Sequence, residues 1–422
     1  MSRSRSVGVA VIGAGNISKQ YLDNLTVFPD LKVHIIADLF EEAAAARAKE
    51  YGIPAWGGVD AALNHPGVEI IVSLTIPAAH VEVATAAVNA GKHVWTEKPF
   101  SLDRASGLAL LKAADAAGLR LGCAPDTTLG AGLQTARRLI ERGDIGMPLT
   151  ALTTFQTPGP ESWHPNPAFL FQHGAGPLFD MGPYYITALV QTFGSVRKVA
   201  AVGSKAKEVR VIGSGPKAGE EFAVEVPTHV SAMAQFDGGA SSHSVFSFES
   251  PRQRMAFVEI TGTEATISLP DPNYFDGDIR LWRAGDEDWT TIPATGPANG
   301  RGMGVLDMAR SIRAGVPHRA TGSHPVATPQ SACRAEPGNT CAAQAAPVHR
   351  GLAAAGRSFL ARARKPPAGA GWWFSHACGT AACSAAWGVA FGRLAEHRSV
   401  TSPIPAHSRT AAMPAAAPRL SS

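Results

Sequence analysis

Val7-Gly8-Val9-Ala10-Val11-Ile12, an apolar and mostly β-branched run, leads without a break into Gly13-Ala14-Gly15-Asn16-Ile17-Ser18 and then into a helical pattern. Few folds accept a strand so uniformly apolar, because both of its faces must be covered. Gly13 lets the chain turn tightly, and Gly15 lets backbone amides approach a pyrophosphate. The helix start at Asn16 and Ile17 offers unpaired N–H groups and a partial positive charge to the same anion. Ser18 stands where the pattern has its third glycine, and is small enough for helix–strand packing. Taken alone, the motif also fits a glycine-rich turn that binds nothing.

The segments that follow supply the context. Lys32–Ala37 reads as a second strand ending at Asp38, about 20 residues past the glycines, where a carboxylate accepts bonds from ribose hydroxyls. Asp38 also suits the start of the next helix, and the two roles are compatible. A carboxylate there repels a 2′-phosphate and Leu39 offers no compensating charge, so NAD is expected over NADP. The alanine-rich helix from Glu41 stops at Gly52. Val68–Leu74 is another buried strand, followed by Thr75-Ile76-Pro77 and a helix from near Ala78. His80, in its first turns, reads equally as a surface histidine or a cofactor contact. Gly91–Pro99 gives a strand ending in Glu97-Lys98-Pro99; helix Asp103–Ala117 and strand Arg120–Cys123 follow. This alternation implies a parallel, doubly wound α/β sheet over residues 1–123. Gly13, Asp38, Pro77 and Lys98 all fall at strand carboxyl ends, where such sheets bind ligands; Glu97 is counted with the cofactor contacts.

From residue 124 the pattern changes. A helix (Leu129–Arg142), a strand (Leu149–Gln156) and a Pro-, Gly- and aromatic-rich loop (Thr157–Gln172) precede Gly174-Ala175-Gly176-Pro177-Leu178-Phe179-Asp180-Met181-Gly182-Pro183-Tyr184-Tyr185. Strands are then expected at Val196–Val202, Phe222–Val226, His229–Phe236, Ser242–Phe248, Ala256–Thr261, Ala265–Leu269 and Asp278–Trp282, with a closing helix Met303–Ala314. Several of these strands alternate polar and apolar residues, so residues 124–322 read as an α+β domain with an open mixed or antiparallel sheet.

Residues 323–422 keep neither period. They carry ten basic and two acidic residues, against 28 and 32 in residues 1–322, and hold four of the five cysteines. Such a segment predicts a disordered, low-complexity tail. The abrupt switch is what a change of reading frame would produce, with a natural extension as the alternative. The acidic body argues against nucleic-acid binding. The cysteine and histidine spacings give no metal site, no apolar run is long enough for a membrane span, and the start lacks a leader-like segment, which points to the cytoplasm.

Three groups carry the candidate chemistry. Lys98 sits at the ligand end of the sheet with its backbone held extended by Pro99; a solvated lysine is the rival reading. Asp180 and Tyr184, four residues apart, share a face if helical, with Pro177 suited to the first turn and Pro183 expected to kink or restart the helix. They read either as flanks for a substrate hydroxyl or as a capping acid and a core tyrosine.

Val-x-Val-x-x-Ile-Gly-x-Gly-Asn-Ile-Ser, the acidic residue after strand two, Gly-Lys-His-Val-x-x-Glu-Lys-Pro and Gly-x-Gly-Pro-x-x-Asp-Met-Gly-x-Tyr-Tyr occur in order. Over about residues 7–322 this resembles the glucose–fructose oxidoreductase, inositol dehydrogenase and rhizopine-catabolism (Gfo/Idh/MocA) family. The resemblance implies a Rossmann domain, NAD or NADP in the cleft, and hydride transfer at a carbinol carbon of a sugar, sugar acid or cyclitol. It places the catalytic lysine at Lys98 and the catalytic aspartate at Asp180. Tyr184 stands where many members have a histidine, as in the glucose–fructose oxidoreductase branch. A nearby Lys98 ammonium is expected to lower the Tyr184 pKa toward a useful base. Trp163 and His164 are candidate substrate contacts, and a homo-oligomer is expected. An NAD-retaining glycoside hydrolase and a dinucleotide-binding protein without turnover remain as alternatives.

Overall fold

The computed structural model describes residues 6–320; the readings made for the 323–422 tail lie outside the described residues. The chain runs β1 (Val7–Ile12), α1 (Asn16–Leu25), β2 (Leu31–Ala37), α2 (Glu41–Tyr51), β3 (Ala55–Gly57), α3 (Val59–Leu63), β4 (Ile70–Ser73), α4 (His80–Asn89), β5 (His93–Thr96), α5 (Arg104–Ala116) and β6 (Leu121–Cys123). These strands form one parallel sheet in the order β3-β2-β1-β4-β5-β6. All six residues of β1 are buried, which is why the sequence there is continuously apolar. The order reverses next to β1, creating the crevice where doubly wound sheets hold ligands.

The second half comprises α6 (Ala131–Arg142), β7 (Pro148–Gln156), α7 (Gly176–Phe193), β8 (Val196–Ser204), β9 (Val209–Val211), β10 (Glu221–Ala223), β11 (His229–Phe236), β12 (Ser241–Ser247), β13 (Arg254–Gly262), β14 (Ala265–Ser268), β15 (Ile279–Arg283), β16 (Thr290–Ile292) and α8 (Met303–Ala314). Its main sheet has the order β16-β15-β14-β13-β7-β12-β11-β8, with β9 and β10 as a separate ribbon. Pairing is antiparallel except between β7 and β12, so the sheet is mixed. One face buries Phe155, Phe246 and Val258 against Tyr185 and Leu189 of α7.

Four elements were not anticipated. β3, β9 and β16 span three residues each and α3 five, too few for a period to register. Pro183 does not interrupt α7, which continues through it. An interior proline costs a helix roughly 3 kcal/mol, but Leu178, Tyr185, Ile186 and Leu189 anchor this one in the core on either side.

The larger surprise is α8. Read with the second half, it packs on the first sheet, its Met303, Val305, Leu306 and Met308 joining Val9, Val11 and Trp95. Gly304 makes this possible, because a Cβ there would come within 1.9 Å of the Trp95 ring. Asp126 fixes the helix start: its Oδ2 accepts from Gly302 N–H at 2.8 Å and Gly304 N–H at 3.1 Å.

Burial pushes the Asp126 carboxyl up to about 6, against the pull of those amides and of Arg301. A carboxyl whose folded pKa lies above its unfolded value holds its proton more tightly when folded. Stability from this group is therefore gained as pH falls from about 6 toward about 4, and lost as pH rises through that window. Asp126→Asn, which keeps an acceptor and removes the charge, is expected to raise the melting temperature at pH 8; Asp126→Ala should lose about 1–2 kcal/mol of capping. Thermal unfolding at pH 5 and 8 measures both.

Candidate active site

Ala37, Ile12, Ser73, Thr96 and Cys123 lie in one row of the parallel sheet. The residues just beyond them therefore emerge together at one rim. Gly13, at φ 110°, presses against the β4 turn: a Cβ would sit 2.6 Å from the Leu74 carbonyl. Pro77 opens the tight turn that continues this segment. α1 starts at Asn16 with Gly15 as its N-cap, no side chain caps it, and its first turn holds no acid. A Cβ on Gly15 would meet nothing within 4 Å, and Gly15 and Asn16, where the helix begins, are exposed. Unpaired N–H groups with room in front of them fit a pyrophosphate. Ser18, fully buried, folds its hydroxyl back to donate to Gly15 O at 2.6 Å.

Asp38 is on this rim, but the helix-cap reading does not hold: the cap of α2 is Phe40. The Asp38 carboxylate accepts from Ala14 N–H at 2.7 Å and from Phe40 N–H at 2.9 Å, tying the second strand's end to the glycine turn. Arg47 of α2, not foreseen, donates to the Ala14 carbonyl at 3.2 Å from the other side.

Two expected cofactor contacts turn inward instead. His80 is only 1% exposed, so it is no surface histidine. Its ring nitrogens lie 2.6 Å from Pro99 O and 3.0 Å from Thr75 O, leaving neither free for a cofactor. Burial draws its pKa down. The ring staples the Pro77 turn to the segment after Lys98. Glu97 is also buried; it accepts from Tyr21 Oη of α1 at 2.8 Å and from Lys98 N–H at 3.0 Å. Its carboxylate positions the lysine.

Lys98 and Asp180, 82 residues apart, meet across the two sheets. Lys98 Nζ donates to Asp180 Oδ1 at 2.9 Å and to the Asp180 carbonyl at 2.7 Å. Their side chains keep 16% and 27% exposure, so both remain reachable from solvent. Burial disfavours the lysine's charge, but Asp180, Tyr184 and Glu97 together hold its pKa above the usual value. The ammonium sits 5.5 Å from the centroid of the Tyr184 ring.

Tyr184 corrects one expectation. Its pKa is raised, because burial outweighs the opposing pull of Lys98 and Arg301. The free chain thus carries a neutral phenol, a proton donor first. Its hydroxyl accepts from Arg301 Nη2 at 3.0 Å. Tyr185 points away into the sheet core and accepts from Ala256 N–H at 3.0 Å. Trp163 is 67% exposed and stacks edge-on against His164, which in turn meets Phe169. Among the described residues no hydrogen bond, ion pair or ring contact joins Trp163 or His164 to Lys98, Asp180 or Tyr184. Arg210 anchors their loop by pairing with Glu161 and donating to the Pro158 carbonyl at 3.2 Å.

Residues 7–124 match the oxidoreductase family with an NAD-binding Rossmann fold, and residues 133–268 match the GFO/IDH/MocA C-terminal domain. The chain belongs to the Gfo/Idh/MocA oxidoreductase family. Similar curated proteins include bovine (Bos taurus) trans-1,2-dihydrobenzene-1,2-diol dehydrogenase, 24% identical over 72% of this chain and 86% of the relative. The scyllo-inositol 2-dehydrogenase (NAD(+)) of Bacillus subtilis (strain 168) is 24% identical over 62% of this chain and 73% of its own length. Among solved structures, a levoglucosan dehydrogenase in complex with NADH and L-sorbose shares the fold at a TM-score of 0.64. It is 23% identical, covering 74% of this chain and 90% of that one.

Around this candidate site, Tyr21, Arg47, Asn273 and Arg301 were missed by sequence reasoning. Arg301 left a faint signal, a lone arginine between Gly300 and Gly302 just before an amphipathic helix. The other three left none. Among the described residues no cluster suits a metal ion, and no helix is long and apolar enough to cross a membrane.

Proposed function

We propose that this chain is an NAD-dependent dehydrogenase that moves a hydride between the nicotinamide and a secondary alcohol of a sugar, sugar acid or cyclitol. The observation that carries the reading is the Lys98–Asp180 ion pair at the rim where the glycine turn also opens. Gly15, Asn16 and Ile17 would hold the pyrophosphate, and Asp38 the ribose hydroxyls. When bound, the dinucleotide supplies or accepts the hydride. Lys98 and Asp180 orient the substrate hydroxyl, and Tyr184 exchanges its proton. A neutral phenol suits carbonyl reduction near neutrality, so oxidation should quicken as pH rises above 7. Trp163 and His164 stay proposed substrate contacts at the entrance.

The test is NADH absorbance with a panel of myo-inositol, scyllo-inositol, levoglucosan and trans-1,2-dihydrobenzene-1,2-diol. Net NADH supports the reading. Product without net NADH points to a hydrolase, and NAD binding with no product to a binding protein.

Cofactor choice is a separate prediction. NAD should bind at least about tenfold more tightly than NADP, because a 2′-phosphate would meet the Asp38 carboxylate. Asp38→Asn, which retains one acceptor, should narrow the ratio. Equal or tighter NADP affinity in the native chain would sink the assignment. Self-association belongs to the same reading: Val202, Leu152, Met233 and Phe257 stand exposed on one face of the mixed sheet, where a second copy would cover them.

A further inference from the structure

Arg301 ties three parts of the molecule together. Its Nε donates to Gln20 Oε1 of α1 at 2.9 Å. Its Nη2 donates to Tyr184 Oη of α7 at 3.0 Å and to Asn273 Oδ1, in the β14–β15 loop, at 3.2 Å. The guanidinium carbon lies 5.7 Å from the Tyr184 ring centroid, so this ring is approached by two cations, Arg301 and Lys98. Nη1 is buried without a partner. The chemistry assigned to Lys98, Asp180 and Tyr184 leaves this second cation unused.

We infer that Arg301 is a positioning residue that directs the Tyr184 hydroxyl and sets its affinity for the proton. The inference rests on Tyr184 as the proton-transfer group. An arginine bound to the phenol oxygen occupies one lone pair, so the phenolic hydrogen points elsewhere. The bond is charge-assisted, and it strengthens when the oxygen becomes anionic. Arg301 cannot pass on a proton itself, because its guanidinium stays charged. Its influence therefore runs through Tyr184. Around that phenol, Lys98 and Arg301 favour the ionised form, while burial, Glu97 and Asp180 favour the neutral one. Burial disfavours the charge on Arg301, but Tyr184, Glu97, Tyr21 and Asp126 together hold it charged.

The consequence has a sign that differs with direction. Alcohol oxidation draws on the phenolate and carbonyl reduction on the phenol. Removing the cation raises the proton affinity of Tyr184, so oxidation at neutral pH slows while reduction is spared. A merely structural role would slow both.

The experiment compares native chain, Arg301→Gln and Arg301→Lys on whichever polyol of the panel turns over, and on its ketone, across pH. Arg301→Gln is expected to move the rising limb of oxidation up by about one pH unit, making oxidation about tenfold slower at pH 7. Reduction should change less than about twofold, and Arg301→Lys should recover part of the loss. Equal slowing in both directions with an unmoved limb overturns the inference. Titration of the tyrosinate absorbance, taken as native minus Tyr184→Phe, gives the same answer without turnover. An upward shift in the Arg301→Gln background supports it, and no shift overturns it. If that shift appears while Tyr184→Phe turns over normally, the functional reading fails and the role of Arg301 toward Tyr184 stands.

Discussion

Lys98→Met is expected to lower turnover about a thousandfold, the scale for removing a preorganised charge from a reacting centre. Three effects combine. The Asp180 carboxylate loses its only ion-pair partner among the described residues. The substrate hydroxyl loses a donor, and the Tyr184 ring loses a cation 5.5 Å from its centroid. Arginine should not rescue, because a planar fork cannot replace a compact ammonium that reaches both the carboxylate and the carbonyl of Asp180. NAD affinity should hold within about threefold, since among the described residues no hydrogen bond or ion pair joins Lys98 to the glycine turn, and a difference of that size is under 1 kcal/mol. The decisive measurement is kcat with an NAD titration in parallel. A variant within tenfold of native turnover would remove Lys98 from the chemistry.

Tyr184→Phe should lower turnover by roughly 100-fold or more, the usual worth of a positioned acid–base group, with little effect on folding or NAD binding. Tyr185→Phe should do the reverse. Its hydroxyl accepts from Ala256 N–H, and Ala256 has a positive φ of 59° at an irregular point of β13. Leaving that amide unpaired should cost about 1–3 kcal/mol of stability, while turnover changes by no more than a few-fold. Two adjacent tyrosines thus separate chemistry from stability. The opposite ranking would move the proton to Asp180. Combining Lys98→Met with Tyr184→Phe should lose far less than the sum of the singles, because both act on one proton transfer.

Much of this is legible in the sequence alone. A strand buried on both faces must be apolar throughout, so β1 and β4 announced themselves, and the glycine turn after β1 located the crevice. Helix ends at Gly52, Gly143 and Gly315 were readable because all three adopt left-handed backbone, which glycine tolerates best. Lys98, Asp180 and Tyr184 were singled out because each sits in a motif of the family resemblance, and the fold brings the three together.

What stayed hidden depends on partners distant in sequence. His80 opens the helix after the Pro77 turn and Glu97 lies in the Glu-Lys-Pro motif, but only the packing of α4 and α1 turned their polar atoms inward to Pro99, Thr75, Tyr21 and the Lys98 amide. The proton affinity of Tyr184 is a contest between burial and two cations, one of them 117 residues away, and no local spacing encodes how those balance. α8 carries an ordinary amphipathic pattern, which fixes that it packs but not against which sheet. Gly304 and Trp95 decided that, 209 residues apart. Local periodicity and turn chemistry thus determined the elements and the rim, because those depend on neighbours a few residues away. The state of the site's protons and the place of the last described helix were decided by tertiary structure, because desolvation and close packing exist only once the chain has folded.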